Sequence, residues 1–216
     1  VAKMLKEYFE VNKKVKGGVS KSIDTSRGII RVRGPVSAEE LLGMVPDEGL
    51  NMFRPPQKQF KALVEIASLP EGFVFVAHLD QLLIGYVTFH PPEEFERWGQ
   101  DNLKEIMELG AIEVSPAWRG FGIASKLLET AFETGIFEDY IVISTEYYWH
   151  WDCARCDLDI WEYQDMIKHL FGKVGLLPVG TNDPEITCHP ANMLAARIGS
   201  RVKPEAIEEF KCLRYA

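Results

Sequence analysis

Hydrophobic positions along this chain recur with two different periods, and the switches between them predict an order of elements. Residues 29–32, Ile-Ile-Arg-Val, read as a short strand. Gly34-Pro35 then lead into a helix start at Ser37-Ala38-Glu39-Glu40, where a capping serine precedes a glutamate by three residues. A second helix is predicted from Pro55-Pro56 to about Ala67, because Phe60, Leu63, Val64 and Ile66 recur at helical spacing. Residues 72–78 and 82–89 are strand-like runs joined through Asp80-Gln81, the pattern of a hairpin. Phe95 and Trp98 lie in a charged, helical connector.

Residues 109–114 predict a strand that runs straight into Pro116 and a glycine-containing turn. Residues 121–132 predict a helix with Ile123, Leu127, Leu128 and Ala131 on one face, and residues 140–145 a further strand. Strand, turn, helix, strand is a βαβ unit, which implies parallel neighbouring strands. Helices over about 158–171 and 191–199 follow, with a closing strand at 210–215. Residues 1–27 are predicted to be a weakly ordered extension, since they are polar and contain glycine and serine after a short amphipathic start. The fold class is therefore α/β (α+β), one domain over 28–216, with a mixed, mostly antiparallel sheet of about six to seven strands, a central βαβ unit and flanking helices. The stretch 152–190 is longer than a bare connection and reads as a helical insertion.

Composition narrows the function. With 216 residues, 46% of them hydrophobic and 26% charged, the chain can bury a core without staples. Its net charge of −8 gives no broad positive field, so nucleic acid is not an expected partner. No apolar run approaches the ~18 residues of a membrane-spanning helix, and no secretory signal opens the sequence, so a cytoplasmic protein is expected. Cys153 and Cys156 form a Cys-x-x-Cys, and Cys188-His189 follow later. Four N/S groups suggest zinc, but the adjacency of Cys188 and His189 is not finger-like, and no metal is expected.

The chemistry concentrates in Val114-Ser115-Pro116-Ala117-Trp118-Arg119-Gly120-Phe121-Gly122-Ile123-Ala124. A strand ends, a proline starts a turn, and small residues open a helix whose first N–H groups lack intrahelical partners. Such a turn binds anionic phosphate, with Arg119 adding a guanidinium at the entrance and Lys126 further along. A Walker A loop would need Gly-Lys-Ser/Thr, which is absent, and a dinucleotide fingerprint would need a third glycine and a distant acid, which fit poorly.

These residues resemble the central motif of the GNAT acetyltransferase superfamily, Arg/Gln-x-x-Gly-x-Gly/Ala. From about Gly28 onward the chain also resembles the narrower acetoin-utilisation (AcuA-type) acetyltransferases. That similarity lies in Phe53-Arg54-Pro55-Pro56, in Gly110-Ala111-Ile112-Glu113-Val114, in Thr145-Glu146-Tyr147-Tyr148-Trp149-His150-Trp151-Asp152 and in His189-Pro190-Ala191-Asn192. The superfamily resemblance implies acetyl-CoA as co-substrate. Its pantetheine arm would pair with the main chain around Ile112 and Val114, and its pyrophosphate would meet Arg119 and the N–H groups of Gly120, Gly122, Ile123, Ala124 and Ser125. The narrower resemblance implies a protein acceptor, a lysine of acetyl-CoA synthetase, which acetylation switches off. A small amine acceptor, or an acyl-CoA-binding regulatory module without turnover, are the alternative readings.

Acetyl transfer needs a neutral amine, whereas a free lysine has a pKa near ~10.4, so a carboxylate base is required. Glu108 and Glu113 bracket the cofactor strand, and alternation puts Glu108 on the face of Gly110, Ile112 and Val114 while Glu113 points oppositely. Glu146, Tyr147, Tyr148, Trp149 and His150 are expected to line the acceptor's approach. Many GNAT enzymes carry a tyrosine acid on a late helix in the pattern Ala-x-x-Leu-Tyr-x-x-x-Gly; here Ala191, Leu194 and Gly199 match and Ala195 stands at the tyrosine place.

Overall fold

The computed structural model describes residues 18–100 and 103–216. In chain order the first part forms β1 (Val19–Thr25), β2 (Gly28–Gly34), α1 (Ala38–Leu42), β3 (Val45–Pro46), α2 (Pro56–Ala67), β4 (Phe73–Leu79) and β5 (Leu82–His90). Then come α3 (Arg97–Gln100), β6 (Ile106–Val114), α4 (Ile123–Glu133), β7 (Ile141–Glu146), α5 (Cys153–Cys156) and α6 (Ile160–Gly172). The chain closes with β8 (Leu177–Val179), α7 (Pro184–Thr187), β9 (Met193–Ile198) and α8 (Pro204–Leu213). Two compact units result, one running to His90 and resuming over Ala111–Ile136, the other made of Pro91–Gly110 and Phe137–Ala216. Strand β6 gives its first part to the second unit and residues 111–114 to the first. The fold is α/β with a mixed, mostly antiparallel sheet, and β6, α4 and β7 form the βαβ unit, with β6 and β7 parallel.

In the first unit β1, β2, β4 and β5 pair antiparallel in that order, and the two residues of β3 run parallel to β5. Both faces of this sheet are covered, which explains why Phe73 to His78 are all buried and the run does not alternate. Leu41 of α1 and Leu63 of α2 join Val74, Val76, Leu83 and Tyr86 in one cluster. Phe132 of α4 meets the edge of Phe89, which in turn packs edge-on against Phe75. Each such side chain, fully buried, contributes about 1.5–3 kcal/mol. The predicted cap is present: the Ser37 side chain accepts from the Glu40 N–H, and the Glu40 carboxylate accepts from the Ser37 N–H.

In the second unit the first part of β6 pairs parallel with β7, β7 antiparallel with β9, and β9 antiparallel with β8. Ile141, Ile143, Leu194 and Ala196 meet Trp98 from α3 and Ala206, Phe210 and Leu213 from α8. Asp159 and Glu162 form a second reciprocal capping box at the start of α6. Among the described residues, no helix is long and apolar enough to cross a membrane.

Several expectations are corrected. Nine strands are present among the described residues rather than six or seven: β1, β3, β8 and β9 were not expected as strands, and the expected strand at 210–215 is absent. Residues 19–25, read as part of a weakly ordered lead-in, form β1; residues 1–17 of that lead-in lie outside the described residues. Only Val19 and Ile23 mark β1 as apolar, and the strand is held by its backbone register with β2, closed at Thr25, whose hydroxyl donates to the Gly28 carbonyl at 2.7 Å. Residues 191–199 are not a helix but contain β9, because the small Ala195 and Ala196 fit a strand flanked on both sides. Position 195 therefore is not on a helix, and the match to the late-helix tyrosine pattern falls. Residues 210–215 are not a strand either: Pro204 starts α8, and Ala206, Phe210 and Leu213 are its buried face. Phe95 lies in an exposed turn before α3, and α4 begins at Ile123 because Gly120 and Gly122 are left-handed.

Candidate active site

In the first unit the end of β6 leads into the 3-10 turn Pro116–Trp118 and then to α4. Gly120 and Gly122 have φ of 85° and 74°, and a Cβ at either position would meet nothing within 4 Å. These glycines are therefore needed for backbone shape, and they leave the loop surface open. Gly122 is the N-cap of α4 and brings no side-chain cap, so the helix start is left to an outside acceptor. The first intrahelical bond runs from the Lys126 N–H to the Gly122 carbonyl at 3.0 Å. Ile123 is buried, while Ala124 and Ser125 are half-buried. Arg119 is anchored by Nε to the Val114 carbonyl at 3.3 Å, and Lys126 is paired with Glu129 at 2.8 Å. A group bearing phosphate fits this loop: small residues, outward N–H donors and a guanidinium converge with no carboxylate among residues 114–125.

Along β6 the burial alternates only from Met107 to Gly110, since Ile106 is buried and Ala111 partly accessible. Met107, Leu109 and Glu113 are buried, whereas Glu108, Gly110, Ile112 and Val114 are at least partly accessible. Glu108 thus lies on the open face of its strand, with the Thr145 hydroxyl donating to it at 3.4 Å. Glu113 is 3% exposed and accepts from the Met52 N–H at 2.8 Å and the Tyr86 hydroxyl at 2.6 Å. Burial first, and then the neighbouring Glu113 charge, push the Tyr86 phenol far above its ordinary pKa. Glu113 is built into a core polar pair, and Glu108 is not.

In the second unit β7 ends at Glu146, and residues 147–151 turn away through a 3-10 turn at Tyr148–His150. The Glu146 carboxylate accepts from the Ser144 hydroxyl at 2.9 Å and the Trp151 indole N–H at 3.1 Å. Burial pushes its pKa above the ordinary value, against the opposing pull of both donors. Trp151 stacks on Tyr163 with centroids 5.4 Å apart, so it supports the wall from within. The other rings form a continuous row: Tyr147 stacks on Trp149 at 4.9 Å, Trp149 meets Tyr148 at 5.3 Å, Tyr148 meets His189 at 4.2 Å, and His189 stacks on Trp161 at 6.1 Å. His150 packs edge-on against Tyr147 and Trp149. Trp149 and Trp161 are each about half exposed. Asn192 ties the row together, accepting from the Tyr148 N–H at 3.0 Å and donating to the Glu185 carbonyl at 3.0 Å.

Sequence reasoning missed Trp161 and Tyr163, whose place beside the octapeptide comes from tertiary packing alone. It also missed Asp47, although Pro46-Asp47-Glu48-Gly49 is an evident turn. Cys153 and Cys156 bound the single turn α5, and burial pushes the Cys153 thiol up, away from thiolate reactivity.

Residues 44–155 match the acetyltransferase (GNAT) family, the class that the strand, glycine turn and helix define. The acetoin utilization protein AcuA of Bacillus licheniformis is 45% identical over 196 residues, covering 91% of this chain and 93% of the relative. That of Bacillus subtilis strain 168 is 44% identical over the same shares. A crystal structure of an acetoin utilization protein from Exiguobacterium sibiricum 255-15, 42% identical, superposes with a TM-score of 0.89 over 92% of this chain and 94% of that one. The chain belongs to the GNAT family of acetyltransferases and, within it, to the AcuA type. It is an acetyl-CoA-dependent acyltransferase.

Proposed function

We propose that this enzyme acetylates a lysine on a protein, acetyl-CoA synthetase, and so lowers the activity of that protein. The observation that carries this reading is the row of rings from Tyr147 to Trp161, with two half-exposed tryptophans. A row of this length offers more contact than one small amine needs, and it suits an extended segment bearing an aliphatic, cationic side chain. Glu185, which accepts from the Tyr147 hydroxyl at 3.3 Å, sets a carboxylate at its edge. Residues 152–190 supply α6 and α7 and with them Trp161 and His189, as befits an acceptor platform.

Acetyl-CoA is held, in this reading, by main-chain groups of Ile112 and Val114 and by Arg119 with the N–H groups of Gly120, Gly122, Ile123, Ala124 and Ser125. When bound, it supplies the thioester carbon. Glu108 takes the proton of the lysine ammonium, directly or through a water. The freed amine attacks the carbonyl and the C–N bond forms; as the C–S bond breaks, the nitrogen gives up its second proton to solvent, and the departing thiolate takes one from solvent in return. Glu146, Tyr147, Tyr148, Trp149 and His150 orient the lysine. Glu113, buried and doubly bonded, holds structure rather than protons.

The test is thiol release from acetyl-CoA with purified acetyl-CoA synthetase, checked by mass spectrometry of the acceptor. The Glu108→Gln variant should lose about 10²–10⁴-fold in rate while keeping its KM for acetyl-CoA. Full activity in that variant moves the base elsewhere. Absence of transfer to the synthetase, with acetyl-CoA still bound, overturns the acceptor.

A further inference from the structure

Asp47, a residue with no part in the chemistry above, holds the turn on which the cofactor rests. Its Oδ1 accepts from the Ser115 hydroxyl at 2.7 Å and from the Gly49 N–H at 2.8 Å. Its Oδ2 accepts from the Trp118 indole N–H at 3.3 Å. One carboxylate thus grips both ends of the segment Ser115 to Trp118. The same strap is gripped in return, because the Met52 N–H donates to Glu113 at 2.8 Å. The strap gives a carboxylate to the turn, and the strand gives a carboxylate to the strap.

The fit is tight at a third point. A Cβ on Gly49 would lie 2.3 Å from the Ser115 hydroxyl oxygen and 3.0 Å from the Pro116 ring. Any side chain there must push the turn or the strap aside. On the outer side Arg27 donates to the Ala117 carbonyl at 2.6 Å and lies over the Trp118 ring, 5.3 Å from its centroid. Ser115 and Trp118 are both buried, so their polar atoms depend on these partners. By contrast Gly120 and Gly122, just beyond, meet nothing within 4 Å. The packing that fixes where the loop starts is thus at its base, while its tip takes its shape from the left-handed Gly120 and Gly122.

We infer that the strap 47–52 is a positioning device for acetyl-CoA: Asp47 and Glu113, acting through Ser115, Trp118 and the Met52 N–H, set where the phosphate-binding turn leaves the cofactor strand. The inference rests on the assignment of residues 119–125 to the cofactor. A displaced turn loses aim for the pyrophosphate but leaves the base and the acceptor residues in place. Affinity for the cofactor should therefore fall while turnover at saturation survives.

The experiment is titration of the enzyme with coenzyme A, which needs no acceptor, together with steady-state kinetics in acetyl-CoA. Asp47→Asn, Gly49→Ala, Glu113→Gln and Trp118→Phe are compared with Arg119→Ala, which touches the loop itself. Loosening the grip of either carboxylate on its partners should raise the Kd for coenzyme A and the KM for acetyl-CoA by about ten-fold or more, with kcat within about two-fold. Trp118→Phe deletes one N–H donor and keeps the ring, so it serves if Asp47→Asn does not fold. If Arg119→Ala weakens binding and the strap variants do not, the positioning role is overturned. If none weakens binding, the assignment of the loop to the cofactor is what fails. A kcat collapse in Glu113→Gln with unchanged KM overturns the inference from the other side, by placing Glu113 in the chemistry.

Discussion

Glu138 accepts from the Ser200 N–H at 2.7 Å and from the Arg197 guanidinium, and these bonds hold its pKa down at about 2, from an ordinary 4.5. A carboxyl with a depressed folded-state pKa stabilises the protein above its unfolded value, and that contribution is lost as pH falls through the folded one. Its size is on the order of 3 kcal/mol. Glu138→Gln should therefore lower Tm at pH 7, and the gap to the unaltered protein should close between pH 4.5 and 2; a gap that persists at pH 2 points to packing instead. Glu146 has the opposite sign, since burial raises its pKa, so its ionisation costs stability as pH rises. At this scale the shape of the turn was legible in the sequence, because the left-handed Gly120 and Gly122 and the anchored Arg119 lie within a few residues of one another. Asp47 and Trp161 were not, because their partners stand 68 and 28 positions away in the chain, at Ser115 and His189.

Elements with a strong internal pattern or a clear boundary were read correctly: the helix after Pro55-Pro56, the hairpin of β4 and β5, and the parallel pair β6 and β7. Two elements were given the wrong type, β9 and α8. Met193 to Ile198 contains two alanines and a leucine, good helix formers, yet β7 and β8 pair with it on either side and make it a strand. The strand reading of 210–215 began too late in the chain: taken from Pro204, the residues Ala206, Ile207, Phe210 and Leu213 recur at helical spacing and mark α8. The correction at β9 has a consequence for the leaving thiolate. Ala195 is fully buried within the strand, so a tyrosine introduced there has no helix surface from which to reach a thiol. Ala195→Tyr should lower stability by about 1–3 kcal/mol, read as denaturant midpoint, and should not raise kcat. A gain in kcat would reinstate the late-helix reading.

Taken as a whole molecule, the chain carries a net charge of −8 and yet uses a polyanionic co-substrate. The mean field opposes binding, so affinity must come from local donors; the proposed ones are the start of α4 and Arg119. Binding to the folded state alone also raises stability: coenzyme A at a hundred times its Kd should add about 2.7 kcal/mol and raise Tm by roughly 5–10 °C. An unchanged Tm at that concentration excludes a preformed site. The five tryptophans divide by position. Trp98 and Trp118 are buried, the latter beside the cofactor turn, whereas Trp149 and Trp161 stand half in water along the aromatic row. Their fluorescence is accordingly of two kinds, a blue emission screened from dissolved quenchers and a red emission open to them. On the proposed assignment each substrate has an optical label at its door, and arrival of the acceptor should change the red component without any dye.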